Sequence, residues 1–292
     1  MAVRNVSNIR QFIAAIEQCQ ANDVIEVLAD LDWNEVVDEI TTSVKLSAGT
    51  TISGVTINGN NHTIYNMTGG RISQSGSGVN LFNFGSSTNI TINGLSFLNC
   101  QMGSRSTNII YGSGTTTVFN AVIQGKFKSA MFNGTGMTVR DSMITASLVT
   151  NGTPLANGSA NATPKWKNCW IRLDNCEYTY ASSSARYAYN LDGCYVEGTI
   201  GFQSAPNTPN VFGNVNNSCI NVAVFIQVPT PETFCTPTSG ETGQSVNIIN
   251  IDKIVSPTPL TENDSTTWVK CVTDEHMKNA EYLASIGFDI IP

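Results

Sequence analysis

The chain has 292 residues, 41% of them hydrophobic and only 13% charged, with a net charge of −7. That composition excludes a disordered polyelectrolyte and supplies enough apolar material for a sizeable core. The acidic balance argues against a nucleic-acid binder, which needs clustered Lys and Arg, and no run of about 18 apolar residues reads as a membrane span.

Taken in chain order, the opening residues lack a basic segment followed by a long apolar run, so they do not read as a secretory signal. "SNIRQFIAAIEQCQ" (7–20) puts Ile9, Phe12, Ile13 and Ile16 on one helical face with Ser7 as N-cap, a helix suited to covering the end of a stack. Residues 1–39 hold eight carboxylates against Arg4 and Arg10, and from Ile40 to Arg140 there is no Asp or Glu. Short runs follow: "TINGLSFLN" (91–99), "VFNAVIQG" (118–125) and "VRDSMITAS" (139–147). Each alternates apolar with polar residues and is bounded by Gly, Asn or Ser, which reads as a strand with turn residues at its corners. Asn93, Asn120, Asn168 and Asn217 fall at those corners, where Asn bonds local backbone or accepts left-handed dihedrals.

Cys169, Cys194 and Cys219 recur at an interval of 25. A period in this range marks stacked repeats, and successive strands without intervening helices cannot be ordinary parallel crossovers. The expected fold is therefore all-β, a right-handed parallel β-helix, with Cys169, Cys194 and Cys219 as an inward structural core ladder. One edge of such a ladder cannot surround a tetrahedral metal, and the eight widely spaced cysteines do not form the crowded framework of a small disulfide scaffold. Neither cofactor nor metal is expected. "NGTPLANGSANATP" (151–164) and "VPTPETFCTPTSGETGQS" (228–245) read as loops, and "TDEHMKNAEYLASIG" (273–287) as a helical cap with Thr273 at its start and Gly287 at its end. The expected organisation is a capping helix with first strands over 1–40, the β-helix over 41–227, and a Pro-rich loop with a small α/β capping segment over 228–292.

The opening helix followed by "DVIEVLADLDW", "TTISGVTINGNNHTIYNMTG" and "NITINGLSFLNC" resembles the first rungs of pectate-lyase-like right-handed β-helix proteins. That superfamily includes polysaccharide lyases, glycosidases and bacteriophage tailspikes and fibres. "VTDEHMKNAEYLASIGFDI" is similar to the segment after the repeats in GLUG-type surface proteins and in phage structural proteins, although the GLUG sequence itself is absent. The resemblance implies a bacteriophage virion structural protein: a head fibre, decoration or tail-appendage component made in the host cytoplasm. It would form a homotrimer and bind other virion proteins or a host surface glycan, without inserting into a membrane. A tailspike-type polysaccharide lyase or glycoside hydrolase is the alternative, and a bacterial surface adhesin a weaker one.

For hydrolysis two carboxyl groups must flank one bond, roughly 5 to 9.5 Å apart. Asp141, Asp174, Glu177, Asp192 and Glu197 are available, with Asp174 and Asp192 expected near one corner of adjacent rungs. A lyase base would be Arg172 or Arg140, yet no acidic calcium ligands surround either in sequence. His62 and His276 read as turn and first-turn residues. Sugar-stacking candidates are Tyr178, Tyr180 and Tyr187 in "EYTYASSSARYAY" (177–189), with Trp33 and Trp166 as further aromatics.

Overall fold

A computed structural model describes residues 1–69, 80–102, 108–127, 130–134, 136–148, 164–178, 190–202, 215–225, 229–234 and 246–288. Alternation of apolar and polar residues over runs of two to nine residues makes strands, and their pairings are all parallel. They coil into a β-solenoid of about 8 turns. Among the described residues the first sheet has nine strands, from Val3–Val6 to Val215–Asn216. A second has four, Val44–Lys45, Asn80–Asn83, Asn108–Tyr111 and Phe132–Asn133. The third, along its main path, runs through ten strands from Leu31–Asp32 to Val269–Val272, while Ile254–Val255 pairs beside Cys219–Phe225.

Register shows why the fold holds. In the first sheet Ile25, Ile57, Ile92, Val118, Val139, Trp166, Leu191 and Val215 stand on one another in successive rungs, all facing the core. The third sheet answers with Leu31, Ile64, Phe97, Ile123, Ile144, Ile171, Val196, Ile220, Ile249 and Cys271. Each such side chain contributes about 1.5–3 kcal/mol relative to exposure. Rung length varies from 21 residues between Val118 and Val139 to 35 between Ile57 and Ile92, because the connecting loops differ while the register does not.

The corner from the first sheet to the third is one residue deep and left-handed. Gly94, Asn120, Asp141, Asn168, Gly193 and Asn217 follow in-register strand ends, and all have φ between 45° and 64°. Asn and Asp tolerate this conformation better than other L residues. Asn120, Asn168 and Asn217 therefore occupy the expected role, whereas Asn93 ends a strand and leaves the left-handed position to Gly94. Asn168 Nδ2 donates to Asp141 Oδ1 at 3.2 Å one rung back.

The residue after the corner faces inward: Leu95 after Gly94, then a ladder of smaller side chains, Ala121, Ser142, Cys169, Cys194 and Ser218. Four of these donate to the carbonyl two residues earlier: Ser142 Oγ to Arg140, Cys169 Sγ to Lys167, Cys194 Sγ to Asp192 and Ser218 Oγ to Asn216. Cys169 and Cys194 thus stack as neighbours, and their mutual hydrogen bond, with burial, pushes the Cys169 thiol up from its ordinary value. Cys219 does not continue that ladder. The corner-to-corner step from Gly193 to Asn217 is 24 residues, so Cys219 lies opposite Tyr195 and faces outward, with Ser218 in the inward place.

At the N-terminal end, Ile9–Gln18 forms a helix with Ile9, Phe12, Ala15 and Ile16 buried. Phe12 meets Phe82 edge-on at 5.7 Å, and so does Trp33. The N-cap is Asn8, whose side chain accepts from Gln11 N; Ser7 instead donates its amide to Gln11 Oε1. In the turn after the helix Asp23 is buried and accepts from Ala2 N at 2.6 Å, Gln20 N at 3.0 Å and Arg4 at 3.3 Å. Those donors hold its carboxyl below the ordinary carboxylate value, the Ala2 amide first.

The C-terminal helices Asp274–Met277 and Ala280–Ser285 start at Thr273 and Asn279. Met277, Leu283 and Phe288 pack with Cys219, Ile248 and Val272 in a second cluster. The last three are the outward neighbours of Ile220, Ile249 and Cys271, so this segment lies on the outer face of the third sheet. The third sheet also continues past residue 227, through Asn247–Asn250 and Val269–Val272.

Candidate functional site

The outward positions of the third sheet form rows, because in-register parallel strands repeat each position at about 4.8 Å. The row nearest the corner is apolar: Val122, Met143, Trp170 and Tyr195. Val122, Met143 and Trp170 are 43%, 48% and 46% exposed, an unusual density of bare apolar side chains on this surface. Trp170 and Tyr195 meet edge-on at 5.3 Å. Beyond Tyr195 the row passes to Cys219 and Ile248 beneath the C-terminal helices.

Two polar rows lie beside it. Gln124, Thr145, Arg172, Glu197 and Asn221 form one, and Gln101, Lys126, Ser147 and Asp174 the other. Trp170 Nε1 donates to Glu197 Oε1 at 3.2 Å, Arg172 Nε to Asp174 Oδ1 at 2.9 Å, and Asn221 Nδ2 to the Tyr195 hydroxyl at 2.7 Å. Asn250 Nδ2 then links Asn221 to Asp274 of the C-terminal segment. A shallow cavity of about 220 Å³ opens across the polar rows, lined by Asn99, Gln101, Gln124, Lys126, Thr145, Ser147 and Asp174 among others. Lys126 and Arg172 balance Asp174 and Glu197, so the surface presents hydrogen-bonding groups of both signs beside an apolar strip.

The residues singled out in the sequence fall in different places. Arg172 and Asp174 come together on this face. Asp192 lies at the end of a strand of the first sheet, where Lys167 Nζ meets its carboxylate at 3.1 Å. Asp174 and Asp192 therefore stand on different sheets, each with its own basic partner, and do not flank a common bond. Hydrogen bonding to Asp174 raises the Arg172 pKa above its ordinary value, which opposes the neutral guanidine that a lyase base requires. Arg140 pairs with Asp141 and lies over the Phe119 ring at 4.2 Å. Trp33 and Trp166 are buried core residues, not sugar platforms. Tyr178 closes the strand Trp170–Tyr178, but its side chain, with Tyr180 and Tyr187, lies outside the described residues, as does the side chain of Glu177.

Sequence reasoning missed Trp170, Tyr195 and Glu197 as a group. The signal was present: Trp170 and Tyr195 are 25 residues apart, one rung, immediately after the two cysteines. Among the described residues no group of three His, Cys, Asp or Glu side chains could hold a metal, and no helix is long and apolar enough to cross a membrane. No protein-family model, curated protein or solved structure matches the chain.

Proposed function

We infer that the protein is a glycan-binding structural component, of the kind that a bacteriophage carries as a head fibre, decoration or tail appendage. The observation that carries this reading is the outer face of the third sheet, where the Trp170–Tyr195 strip lies against rows of amide, hydroxyl and paired charged groups. An apolar ring face beside oriented donors and acceptors is what a sugar requires, since its C–H face stacks on aromatics while its hydroxyls hydrogen-bond. With two bases against two carboxylates on this face, a neutral host-surface glycan suits it better than a strongly acidic one. Packed ladders support the reading by making the strip a rigid platform, so little ordering entropy opposes binding. Assembly as a homotrimer, and attachment to other virion proteins, belong to the same reading.

The test is binding of the purified chain to panels of neutral and acidic polysaccharides, with mass measured on the same sample. Trp170→Ala should weaken binding to a neutral glycan about tenfold, the loss of one stacked ring at roughly 1–1.5 kcal/mol, and lower the thermal midpoint by no more than about 4 °C, since the half-exposed ring gives up only its contacts to Tyr195 and Glu197. Equal binding by the variant, or no glycan binding in either panel, overturns the reading.

A further inference from the structure

The two ends of the solenoid treat their strand edges differently. In parallel strands alternate residues direct both N–H and C=O to one side. At the C-terminal end, Asn247 N donates to Trp268 O, so Val269, Cys271 and Thr273 face away from the sheet. All three amides are taken: Val269 N by Thr266 Oγ1 at 3.1 Å, Cys271 N by Ser265 Oγ at 2.9 Å and Thr273 N by Glu262 Oε1 at 3.3 Å. At the N-terminal end, Val24 N donates to Ala2 O and Leu28 N to Val6 O, so Val3, Asn5 and Ser7 face outward. Among the described residues only the Ser7 amide is taken there, by Gln11 Oε1 at 2.9 Å. Val3 and Asn5 are both exposed, Val3 at 61%, and among the described residues their outward N–H and C=O groups have no hydrogen-bond partner.

An unpaired, extended edge is a template for another strand. Its surroundings choose the occupant. Of the eight carboxylates in residues 1–39, Asp23 pairs with Arg4, Glu39 with Arg10 and Asp30 with His62, which leaves the exposed Glu17, Glu35 and Asp38 in excess at this end, and Glu26 stands one strand in from Asn5 on the outer face. A second copy paired at the same edge would bring two such acidic ends together. Head-to-tail stacking meets a closed edge, and residues 246–288 carry six carboxylates against three lysines. We propose that the Val3–Val6 edge of the first sheet is a docking site for an extended, basic segment of another protein, added as a further parallel or antiparallel strand.

This site is separate from the glycan face, so either can fail alone. The probe is a capped octapeptide of alternating Lys and Val, compared with its Glu–Val counterpart. The Lys–Val peptide should bind at least tenfold more tightly than the Glu–Val peptide, and binding should weaken as salt rises. Asn5→Pro removes one outward donor without touching a bond to the neighbouring strand, and should abolish binding. Should that variant fold poorly, Val3→Lys places a charge at the same edge and should weaken binding instead. In the wild-type complex, NMR-detected amide exchange should slow at Val3 and Asn5. Equal binding of the two peptides, binding that survives Asn5→Pro in a folded protein, or protection elsewhere overturns the proposal. Peptide-independent oligomers that Asn5→Pro dissolves would overturn it in favour of self-pairing.

Discussion

Asp23 shows how much of the N-terminal end depends on one carboxylate. It receives two backbone amides and the Arg4 guanidinium, tying the first strand to the turn after the helix. Asp23→Asn keeps the shape but removes the charge and turns one of the two accepting oxygens into a donor, so either the Ala2 amide or the Gln20 amide and Arg4 lose their acceptor; it should cost about 1–3 kcal/mol in urea unfolding at neutral pH. The folded pKa lies below the unfolded one, so this contribution is complete above about pH 4, the unfolded value. It drains away as pH falls through the folded value, and the gap between wild type and variant should close in the same direction. The inward ladder after the corner offers a second test. Its position holds Ser in two rungs and Cys in two, with the same donation to the carbonyl two residues back. Cys194→Ser should therefore change stability by less than about 1 kcal/mol. Cys194→Leu should cost about 1–3 kcal/mol by overpacking, both read as shifts in the denaturant midpoint.

Among the elements, the left-handed corner was the part most open to sequence reasoning, because Asn and Gly at a turn have a direct conformational meaning. The interval of 25 fails at its second step, from Cys194 to Cys219, for a related reason. Cysteine was used as the marker, whereas the position that repeats is the left-handed residue before it, and the rung from Gly193 to Asn217 is one residue shorter than its predecessor. A slip of one reverses the face in a strand, which moves Cys219 from the interior of the coil to the outer face of the third sheet, where the C-terminal helices bury it. The C-terminal segment was legible as a helical cap from Thr273 to Gly287, but not its break into two helices or their destination. "NIIN" is buried throughout, so its pattern gives no sign that Ile249 faces the core and Ile248 the helices. Leu283→Ala in that second cluster should cost about 2–4 kcal/mol of local stability. Hydrogen exchange should show faster opening over residues 273–288 while the first-sheet ladder keeps its protection; uniform loss across the molecule would mean the segment and the coil unfold as one.

At the scale of the whole molecule, a coil of parallel sheets was legible from the period, the alternation and the missing helices between strands. Its outer face was not, because an exposed tryptophan and a buried one look alike in sequence: Trp166 stands in the core ladder and Trp170, four residues on, faces outward. Which of them meets solvent is decided by the corner at Asn168 between them. The closed C-terminal edge also bears on how the chain comes into being. Each rung is completed by residues 21 to 35 positions after the equivalent residues of the last, so a chain emerging from the ribosome can lay one rung on another without waiting for distant partners. Until the turn Thr261–Thr266 emerges and Ser265 and Thr266 take the amides of Cys271 and Val269, the growing coil always presents a raw strand. That turn closes the last edge of the coil, and a chain arrested before it should carry an unpaired strand able to join another chain.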